Sequence, residues 1–505
     1  MKPSSQDALK SKPKLTAKQR QAQRKRQKSE RGRAFRKRQA QRVHYDLVLL
    51  GAGVVGMYVA LMLKERASEA SILLIDQNPY PGKRFLATGN GRCNLAQRGA
   101  KASDYLSLKC SDDPLDSVST FLKQTDAFDV EQLFETAPDQ VLERFFFRHG
   151  ILLREEEARL YPASFHAPSL VDYLTRCILD SKIECLMNTH CLDFQHEAKD
   201  QPISLSLKPV DEGETYEILC DRLVIATGGL AQEALGSGAS MLEKLKKQCA
   251  WISPKPGLCP LCSPDVPKES SGLRLKACGF LMQDEIRSSH GEFLITDYGI
   301  SGIASMDLSL AYARGQIKGT RGQIKGTSSI QASKDWSRLF CDDTEFEGPL
   351  LLLDLFSDLD AAVLALAKEE KTDWSALLPR SLHLHLSHCA QKLIERPKAL
   401  ELLKSLAEQT GLSDPHLSRV RLAYYLLLRR WPLRISGTLG FDRAQLMLGG
   451  ITLSNLANDL SLKMDPRVYL AGELLDLSGP CGGYNLLLCF LMAQKVAASL
   501  IEKGL

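Results

Sequence analysis

Hydrophobic and polar positions along the chain predict an α/β protein. A continuous apolar run over Tyr45–Leu50 is typical of a buried strand, and it ends directly at a glycine turn. Val54–Arg66 then has apolar residues spaced three and four apart without a breaker, which predicts a helix. A second apolar run, Ala70–Asp76, predicts the next strand, and Leu486–Leu500 predicts one last apolar helix. Strand, glycine turn, helix and strand in this order are typical of a dinucleotide-binding unit.

The middle of the chain follows a different pattern. Residues 236–355 contain short apolar runs broken by Gly, Pro and Ser, which predicts a β-barrel-like insert. The heptapeptide Arg-Gly-Gln-Ile-Lys-Gly-Thr occurs twice over Arg314–Thr327, and we expect this duplication to lengthen a surface hairpin. The helices predicted after this insert are Ala361–Glu370, Pro397–Thr410 and Leu417–Arg430. Two strands, 438–441 and 449–453, are predicted to follow them.

Charge is distributed unevenly. Residues 1–42 carry 16 Lys or Arg against two acids, a net +14, so the total of +5 leaves the remaining chain at −9. This segment has too few apolar residues to form a core, and we expect it to be disordered alone. It favours contact with RNA, DNA, ribosomes or an anionic membrane. A solubilising extension without a partner is the alternative.

Length and composition place the protein among ordinary globular chains. Its 505 residues can form two or three domains, and no apolar run reaches the ~18–20 residues that a membrane span needs. The 14 cysteines lie mostly singly in apolar stretches. A chain of this size does not need disulfides for stability, so they indicate reduced thiols in a cytoplasmic protein.

The first glycine turn has the residues that a dinucleotide needs. Gly51 permits the tight turn, Gly53 lets the backbone approach a pyrophosphate, and Gly56 lets helix and strand pack closely. The following helix N-terminus offers free N–H groups to the phosphates. Asp76 lies 20 residues beyond Gly56, where a carboxylate can accept hydrogen bonds from the adenosine ribose.

A second glycine-rich region stands at the other end of the chain. It comprises Gly472-Glu-Leu-Leu-Asp476 and Cys481-Gly-Gly-Tyr-Asn485. A dinucleotide that uses both ends of a chain is better explained by FAD built into the fold than by a transient NAD. Gly482 and Gly483 precede the last predicted helix, whose N-terminus can support negative charge on the N1/O2 edge of a reduced flavin.

Several motifs together resemble one family of flavoproteins. The loop GKRFLATGNGRCNLAQ begins at Gly82 and is similar to the family's GRKLLISGGGRCNLTN. The strand and turn VIATGG from Val224, the segment GEFLITDYGISG from Gly291 and the two C-terminal motifs occur in the family's order. From about residue 43 onward the chain therefore resembles the BaiN/YhiN-type NAD(P)/FAD-dependent oxidoreductases, also called the aminoacetone-oxidase family.

This resemblance implies an α/β fold in which a Rossmann-like, glutathione-reductase-like FAD-binding domain is interrupted by a β-barrel-like domain and a helical cap. The expected divisions of the chain, in order, are a disordered basic tail (1–42), the first part of the FAD domain (43–235), the β-barrel-like insert (236–355), the helical cap (356–430), the return strands of the insert (431–450) and the last part of the FAD domain (451–505).

The predicted cofactor-binding residues lie in the glycine turns and the loops that follow predicted strands. They are Gly51, Ala52, Gly53, Val54, Val55, Gly56, Asp76, Gln77, Lys83, Thr88, Gly89, Asn90, Gly91, Arg92, Cys93, Asn94, Thr227, Gly228, Gly229, Gly472, Glu473, Gly482, Gly483, Tyr484 and Asn485. Tyr298 and Tyr484 are candidate proton donors, because phenols in family-like motifs can act as general acids.

The chain also departs from the family's motifs. Asn90 replaces a usual glycine, the last helix has FLMAQKV where SSGYVAG is common, and the stretch after Gly229 lacks the usual Tyr and Pro. These departures concern the substrate side more than FAD binding.

Cysteine and histidine pairs suggest further chemistry. Cys259 and Cys262 have the spacing of a zinc knuckle or a redox dithiol, but a turn with two buried thiols is favoured. Cys93 and Cys481 lie in proposed flavin loops and serve either redox chemistry or packing. The run from His383 to Cys389 favours one polar face of a helix or strand over a metal site.

The function predicted is an FAD-dependent oxidoreductase that transfers hydride through flavin N5. A transiently bound NADH or NADPH, or oxygen, would complete the flavin cycle, and reduction of a conjugated C=C bond is the substrate class that the resemblance implies. Two alternatives stay open. One is an FAD-containing protein associated with RNA or ribosomes through residues 1–42, and the other is a flavin-binding protein without turnover.

Overall fold

The computed structural model describes residues 42–66, 69–108, 128–181, 183–195, 201–211, 213–283, 286–318, 348–359, 373–396, 401, 403–405, 408 and 419–505. The basic segment, apart from its last residue, lies outside these ranges. So do the predicted helix Ala361–Glu370 and most of Pro397–Thr410.

Nineteen strands and eight α-helices lie within the described ranges. The strands are β1 (His44–Leu50), β2 (Ile72–Asp76), β3 (Ala96–Gln97), β4 (Leu153–Glu156), β5 (Arg159–Pro162), β6 (Glu184–Met187), β7 (Thr189–Gln195), β8 (Ile203–Pro209), β9 (Tyr216–Ile225), β10 (Trp251–Gly257), β11 (Leu261–Cys262), β12 (Arg274–Met282), β13 (Ile286–Ile295), β14 (Gly299–Ser301), β15 (Leu350–Asp354), β16 (Trp431–Arg434), β17 (Gly437–Thr438), β18 (Leu446–Ile451) and β19 (Val468–Leu470). The helices are α1 (Val54–Glu65), α2 (Pro138–Arg148), α3 (Ala167–Asp180), α4 (Ala239–Leu245), α5 (Ile303–Lys318), α6 (Arg380–Ile394), α7 (Arg419–Arg429) and α8 (Tyr484–Glu502).

The two ends of the chain meet in one seven-stranded sheet. Its strand order is β6-β2-β1-β9-β8-β7, and β19 also pairs with β9. β6, β2, β1, β9 and β19 run parallel, and α1 connects β1 to β2 as a βαβ crossover. The last residues of β1 and β9, Leu50 and Ile225, are directly paired, and Ile225 is also paired with Leu470 of β19. The loops after these strands therefore gather at one edge of the sheet.

Helices cover this sheet with apolar faces. Tyr58 of α1 is buried and makes edge-to-face contacts with Phe145 and Phe490, at centroid distances of 5.4 and 5.3 Å. Among the described helices, α8 is long and apolar enough to cross a membrane by length and composition. Most of its apolar side chains are buried against the rest of the protein, which is typical of a core helix.

A second, antiparallel sheet forms the middle region. Its order is β16-β15-β12-β13-β14-β11-β17. The two edge strands, β16 and β17, are separated by only two residues, 435–436, so the sheet must curl until its edges approach each other. α6 and α7 cover it with leucines, including Leu386 and Leu427. The predicted fold class is confirmed, whereas the exact domain boundaries stay a prediction.

Two predictions for the middle region were wrong in part. The first copy of the duplicated heptapeptide begins inside α5, so Arg314–Lys318 are helical and do not form a hairpin. The segment of α5 contains many small residues, including Gly315, so its helical periodicity is weak. Burial of Leu308 and Leu310 against the rest of the protein stabilises the helix. The rest of the repeat lies outside the described residues. The return strand expected over 438–441 comprises only Gly437–Thr438.

Candidate functional site

The first glycine turn has two glycines that packing requires and one that it does not. Gly51 has a φ of +103°, and a Cβ there would overlap the carbonyl oxygen of Ala226. A Cβ on Gly56 would overlap the carbonyl oxygen of Gly51, which holds α1 against the turn. Gly53 is different, because a Cβ there would meet no atom within 4 Å. Gly53 therefore faces open space at the N-terminus of α1, where a pyrophosphate can approach.

Hydrogen bonds tie the ends of four parallel strands together. The N–H of Gly51 donates to Ile75 O at 2.8 Å, and that of Ala226 donates to Leu50 O at 2.8 Å. The N–H of Ala471 donates to Ile225 O at 3.1 Å. The motifs at Gly51, Asp76, Thr227 and Gly472, which are far apart in sequence, thus form one edge, where α/β folds bind their ligands.

Asp76 stands beside this turn. Its Oδ2 accepts the Ala52 N–H at 2.7 Å, and its Oδ1 accepts the Asn78 N–H at 2.7 Å. Burial raises its pKa, and these hydrogen bonds and Lys83 oppose that effect. Gln77 donates to Ser237 O at 2.9 Å, and Lys83 donates to Ala234 O at 2.9 Å. The segment near residues 234–237 therefore closes over the predicted adenosine side.

An arginine missed in the predicted set joins the flavin loops. Arg84 forms an ion pair with Glu473 at 2.9 Å, and it donates to the carbonyl oxygens of Gly229, at 3.1 Å, and Ala231. The other oxygen of Glu473 accepts the Met447 N–H at 2.9 Å. Both charged side chains are only 23% exposed, so the pair is well shielded. The two basic residues of this loop were the sequence signal for such a role.

The loop from Thr88 to Asn94 has a tightly wound backbone. Phe85–Gly91 form a 3₁₀-helix that includes Asn90, and Gly89 and Gly91 have φ values of +55° and +85°. Cys93, also at positive φ, is fully buried, and burial raises its pKa to about 12. Thr88 donates to the carbonyl oxygen of Phe85 at 2.7 Å. This loop is held by its own backbone.

Arg92 faces away from the other loop residues. Its guanidinium pairs with Glu156 and lies 4.6 Å from the ring centroids of both Tyr161 and Phe165. These contacts are typical of a side chain that anchors the loop to β5.

The final glycine turn meets this loop from the opposite end of the chain. Gly482 and Gly483 have φ values of +121° and +101°, and a Cβ on Gly483 would stand 2.6 Å from Asn94 Oδ1. Asn485 holds the turn closed, because its amide bonds both the N–H and the carbonyl of Gly479, at 2.8 and 2.9 Å. The backbone of Tyr484 accepts a bond from Tyr105 at 2.9 Å.

The loops offer polar atoms that fit a bound cofactor. Thr227 Oγ1 and Asn94 Oδ1 are buried and have no hydrogen-bond partner among the described residues. Buried polar groups in native proteins almost always have partners, so each of these atoms fits a polar ligand group. Together with the open space at Gly53, they fit FAD stretched along the carboxyl edge of the sheet.

The middle region contributes a second residue that the sequence analysis did not single out, and it contacts the glycine turn at Cys481. Asp307, on α5, accepts the Cys481 N–H with Oδ1 at 2.8 Å. Burial raises the pKa of Asp307 to about 6, against the opposing influence of that hydrogen bond and of Arg159. Burial raises the pKa of Cys481 to about 11, so its thiol is protonated at neutral pH. Tyr298 lies elsewhere on this region, where its carbonyl accepts the Ser263 N–H at 3.0 Å.

The cysteine and histidine pairs have ordinary structural partners. Cys259 is fully buried and donates to Gly440 O at 3.3 Å. His383, on α6, bonds Tyr424 at 2.8 Å, and His385 lies 3.7 Å from Cys389. Within the described ranges, no group of three or more His, Cys, Asp or Glu side chains could hold a metal ion.

Comparison with known proteins agrees with this geometry. Residues 45–499 match the family model described as "HI0933-like protein Rossmann domain". The chain is 28% identical over 448 residues to the 3-dehydro-bile acid delta(4,6)-reductase of Clostridium scindens, covering 87% of this chain and 94% of that protein. It is 24% identical over 469 residues to the ribosomal RNA dihydrouridine synthase of Escherichia coli, covering 90% and 98%.

A likeness to solved structures is weaker. The chain is similar to the 3-ketosteroid-delta4-(5alpha)-dehydrogenase of Rhodococcus jostii RHA1, with 14% identity, a TM-score of 0.45, and coverage of 90% of this chain and 96% of that one.

Proposed function

Because the chain belongs to the HI0933-like Rossmann family of FAD-dependent oxidoreductases, we propose that it reduces a C=C bond conjugated to a carbonyl group, with electrons from NADH or NADPH. The names of two relatives support this substrate class. One is a delta(4,6)-reductase of a 3-dehydro-bile acid, and the other makes dihydrouridine, which is uridine with its ring C=C bond reduced. Bound FAD would supply the hydride that such a reduction needs.

The chain's residues would hold and orient that cofactor. The free N–H groups after Gly53 would bind the pyrophosphate, and Asp76 would accept hydrogen bonds from the adenosine ribose. Thr227 and Asn94 would give their unpaired oxygens to polar groups of FAD. The ion pair between Arg84 and Glu473 would keep the first and last loops in register.

The N-terminus of α8 would favour the negatively charged, reduced state of the flavin. Its first backbone N–H groups follow Gly483 and are not capped by a side chain. A helix N-terminus carries a partial positive charge, which stabilises an anion placed against it. The observation that carries the proposal is the convergence of both glycine-rich ends, with unpaired buried oxygens, on one sheet edge.

Anaerobic absorption spectroscopy tests this proposal. We expect the purified protein to show a bound-flavin spectrum that bleaches with NADH or NADPH. Stopped-flow mixing of the reduced protein with 2-cyclohexen-1-one or 4-androstene-3,17-dione should then restore the colour. Colour that returns only with oxygen would contradict a C=C reductase, and flavin that no donor bleaches would favour a flavin-binding protein without turnover. A protein that binds no FAD would refute the cofactor assignment.

A second candidate function is action on RNA. Residues 1–42 carry a net charge of +14, and one relative is named for ribosomal RNA. In this case the C=C bond would belong to a uracil base, and the basic segment would bind the phosphates near it. Such binding weakens steeply with salt, because each neutralised phosphate releases a counterion.

Three forms of the protein test the RNA candidate. These are the full chain, a variant lacking residues 1–42, and a variant of full length in which the Lys and Arg of this segment are Gln. The candidate predicts that ribosomal RNA binds the full chain in a salt-dependent way and binds both variants much more weakly. Equal binding by all three forms would contradict it.

A further inference from the structure

A carboxyl group from the middle region meets the turn that begins the last helix. Asp307 and Cys481 are 174 residues apart in sequence, yet Asp307 Oδ1 accepts the Cys481 N–H at 2.8 Å. This hydrogen bond uses Oδ1 and leaves Oδ2 for other partners. This oxygen is therefore available to a ligand beside Gly482 and Gly483.

The groups around Asp307 form a small polar cluster. Arg159, on β5, places its Nε 3.5 Å from where a Cβ of Gly482 would stand, and its charge acts on Asp307. Cys481 and Tyr484 face Asp307 from the turn, and Asp104 acts on Tyr484. Burial raises the pKa of both Cys481 and Tyr484, so both are neutral near pH 6. Asp307 is therefore the group of this cluster suited to exchange a proton near neutral pH.

We propose that Asp307 is the catalytic acid that protonates the substrate in the flavin site, and that Arg159 is its positioning residue. This inference rests on the proposed function. In the step, the C=C π bond of the substrate breaks and two C–H bonds form. One carbon would receive the hydride that bound, reduced FAD would supply on being oxidised, and its neighbour would receive the proton of the Asp307 carboxyl. The substrate would gain two electrons, and Asp307 would regain its proton from water.

The arrangement suits this role because the two reactants come from different parts of the fold. The cofactor loops lie at the edge of the parallel sheet, whereas Asp307 is carried by α5 of the antiparallel sheet. A substrate bound beside Gly482 would therefore lie close to both the cofactor loops and the Asp307 carboxyl. The bond to Cys481 fixes the carboxyl relative to the turn, and a fixed acid needs little reorganisation before it donates.

The test compares Asp307→Asn with Asp297→Asn, which removes an exposed carboxyl shortly before the same helix. Both variants are first reduced completely by NADH or NADPH, so that the enone step is compared from the same reduced state. Reoxidation of the reduced protein by 2-cyclohexen-1-one should be at least ~100-fold slower in Asp307→Asn alone, because a positioned acid typically contributes 10²–10⁴-fold. Wild-type reoxidation rates in Asp307→Asn would overturn the inference.

A second readout does not depend on turnover. The absorption of bound, oxidised FAD should shift with pH around an inflection near 6 as Asp307 ionises, and Asp307→Asn should lack this inflection. Arg159→Gln should move the inflection to higher pH, since Arg159 lowers the pKa of Asp307. An inflection that persists in Asp307→Asn, or none in the wild type, would overturn the assignment. Absence of FAD, or failure of the wild type to be reoxidised by the enone, would instead refute the proposed function.

Discussion

Replacing Asp307 by Asn should change how the stability of the protein depends on pH. The pKa of Asp307 is raised to about 6 from an ordinary 3.8. Between pH 3.8 and about 6, Asp307 is therefore protonated in the folded state but ionised in the unfolded chain. The free energy of unfolding must fall as pH rises through this window, and the loss is complete above the folded pKa.

The magnitude follows from this pKa difference. At 1.36 kcal/mol per pH unit, the full loss is about 3 kcal/mol, and about 2 kcal/mol of it falls between pH 4.5 and 7.5. Asn cannot ionise, but its amide oxygen can still accept the Cys481 N–H. Relative to the wild type, Asp307→Asn should therefore gain about 2 kcal/mol of stability between these two pH values.

Urea unfolding at pH 4.5 and 7.5, with FAD saturating at both, measures this difference. Other carboxylates titrate in the same window, but they cancel when the two proteins are compared. Asp297→Asn shows what the loss of an exposed carboxylate does alone. A stability difference between Asp307→Asn and wild type that is the same at both pH values would refute the argument that Asp307 is buried in its acid form.

Three further predictions concern the cofactor loops. Gly51→Ala should prevent folding, because Gly51 has a φ of +103° and a Cβ there would overlap the carbonyl oxygen of Ala226. Gly53→Ala should fold normally by circular dichroism, because a Cβ there meets no atom within 4 Å. It should bind FAD at least ~10-fold more weakly in a fluorescence titration, because that open space is where the pyrophosphate approaches. Thr227→Val should keep or raise the urea midpoint of the FAD-free protein, since the Thr227 hydroxyl has no partner in the part of the chain that the structure describes. The same substitution should weaken FAD binding, and a large loss of stability would contradict this reasoning. Arg84→Met should cost about 2–3 kcal/mol in urea unfolding by leaving Glu473 without its cation, and a double-mutant cycle with Glu473→Gln should recover part of that cost.

The sequence was sufficient for the elements that carry local signals. The strand and helix around Gly51 are apolar runs joined by a turn that only glycine can form, so their existence and order follow from the residues alone. The last helix was expected over Leu486–Leu500 and spans Tyr484–Glu502, because its apolar pattern has no breaker. The meeting of the two glycine-rich ends also follows, once both are assigned to parallel strands of one sheet.

Residues that act through distant contacts could not be found in this way. Asp307 belongs to no recognisable motif. Its proposed role depends on its contact with the turn at Cys481, which forms only when α5 packs beside that turn. Asn485 is predicted at the cofactor, and the structure adds that its amide closes the turn onto Gly479, a contact that the sequence does not indicate. α5 itself was missed because its helical signal is weak and its burial is set by the antiparallel sheet.

The proposed role of Asp307 would give the second sheet of this fold a use in catalysis. The parallel sheet can bind FAD with backbone N–H groups and short loops, but charged side chains at its edge, such as Asp76, Arg84 and Glu473, already have partners within the protein. A group that must exchange a proton near neutral pH needs partial burial, and it must also stay clear of the cation that holds the loops together. A carboxyl in direct contact with the Arg84 guanidinium would have a lowered pKa, because a neighbouring cation favours the ionised form. Asp307 is presented from another sheet, near Arg159, whose guanidinium also pairs with Glu157 at 3.5 Å. There burial outweighs the cation and keeps the pKa of Asp307 where the carboxyl can both hold and release a proton.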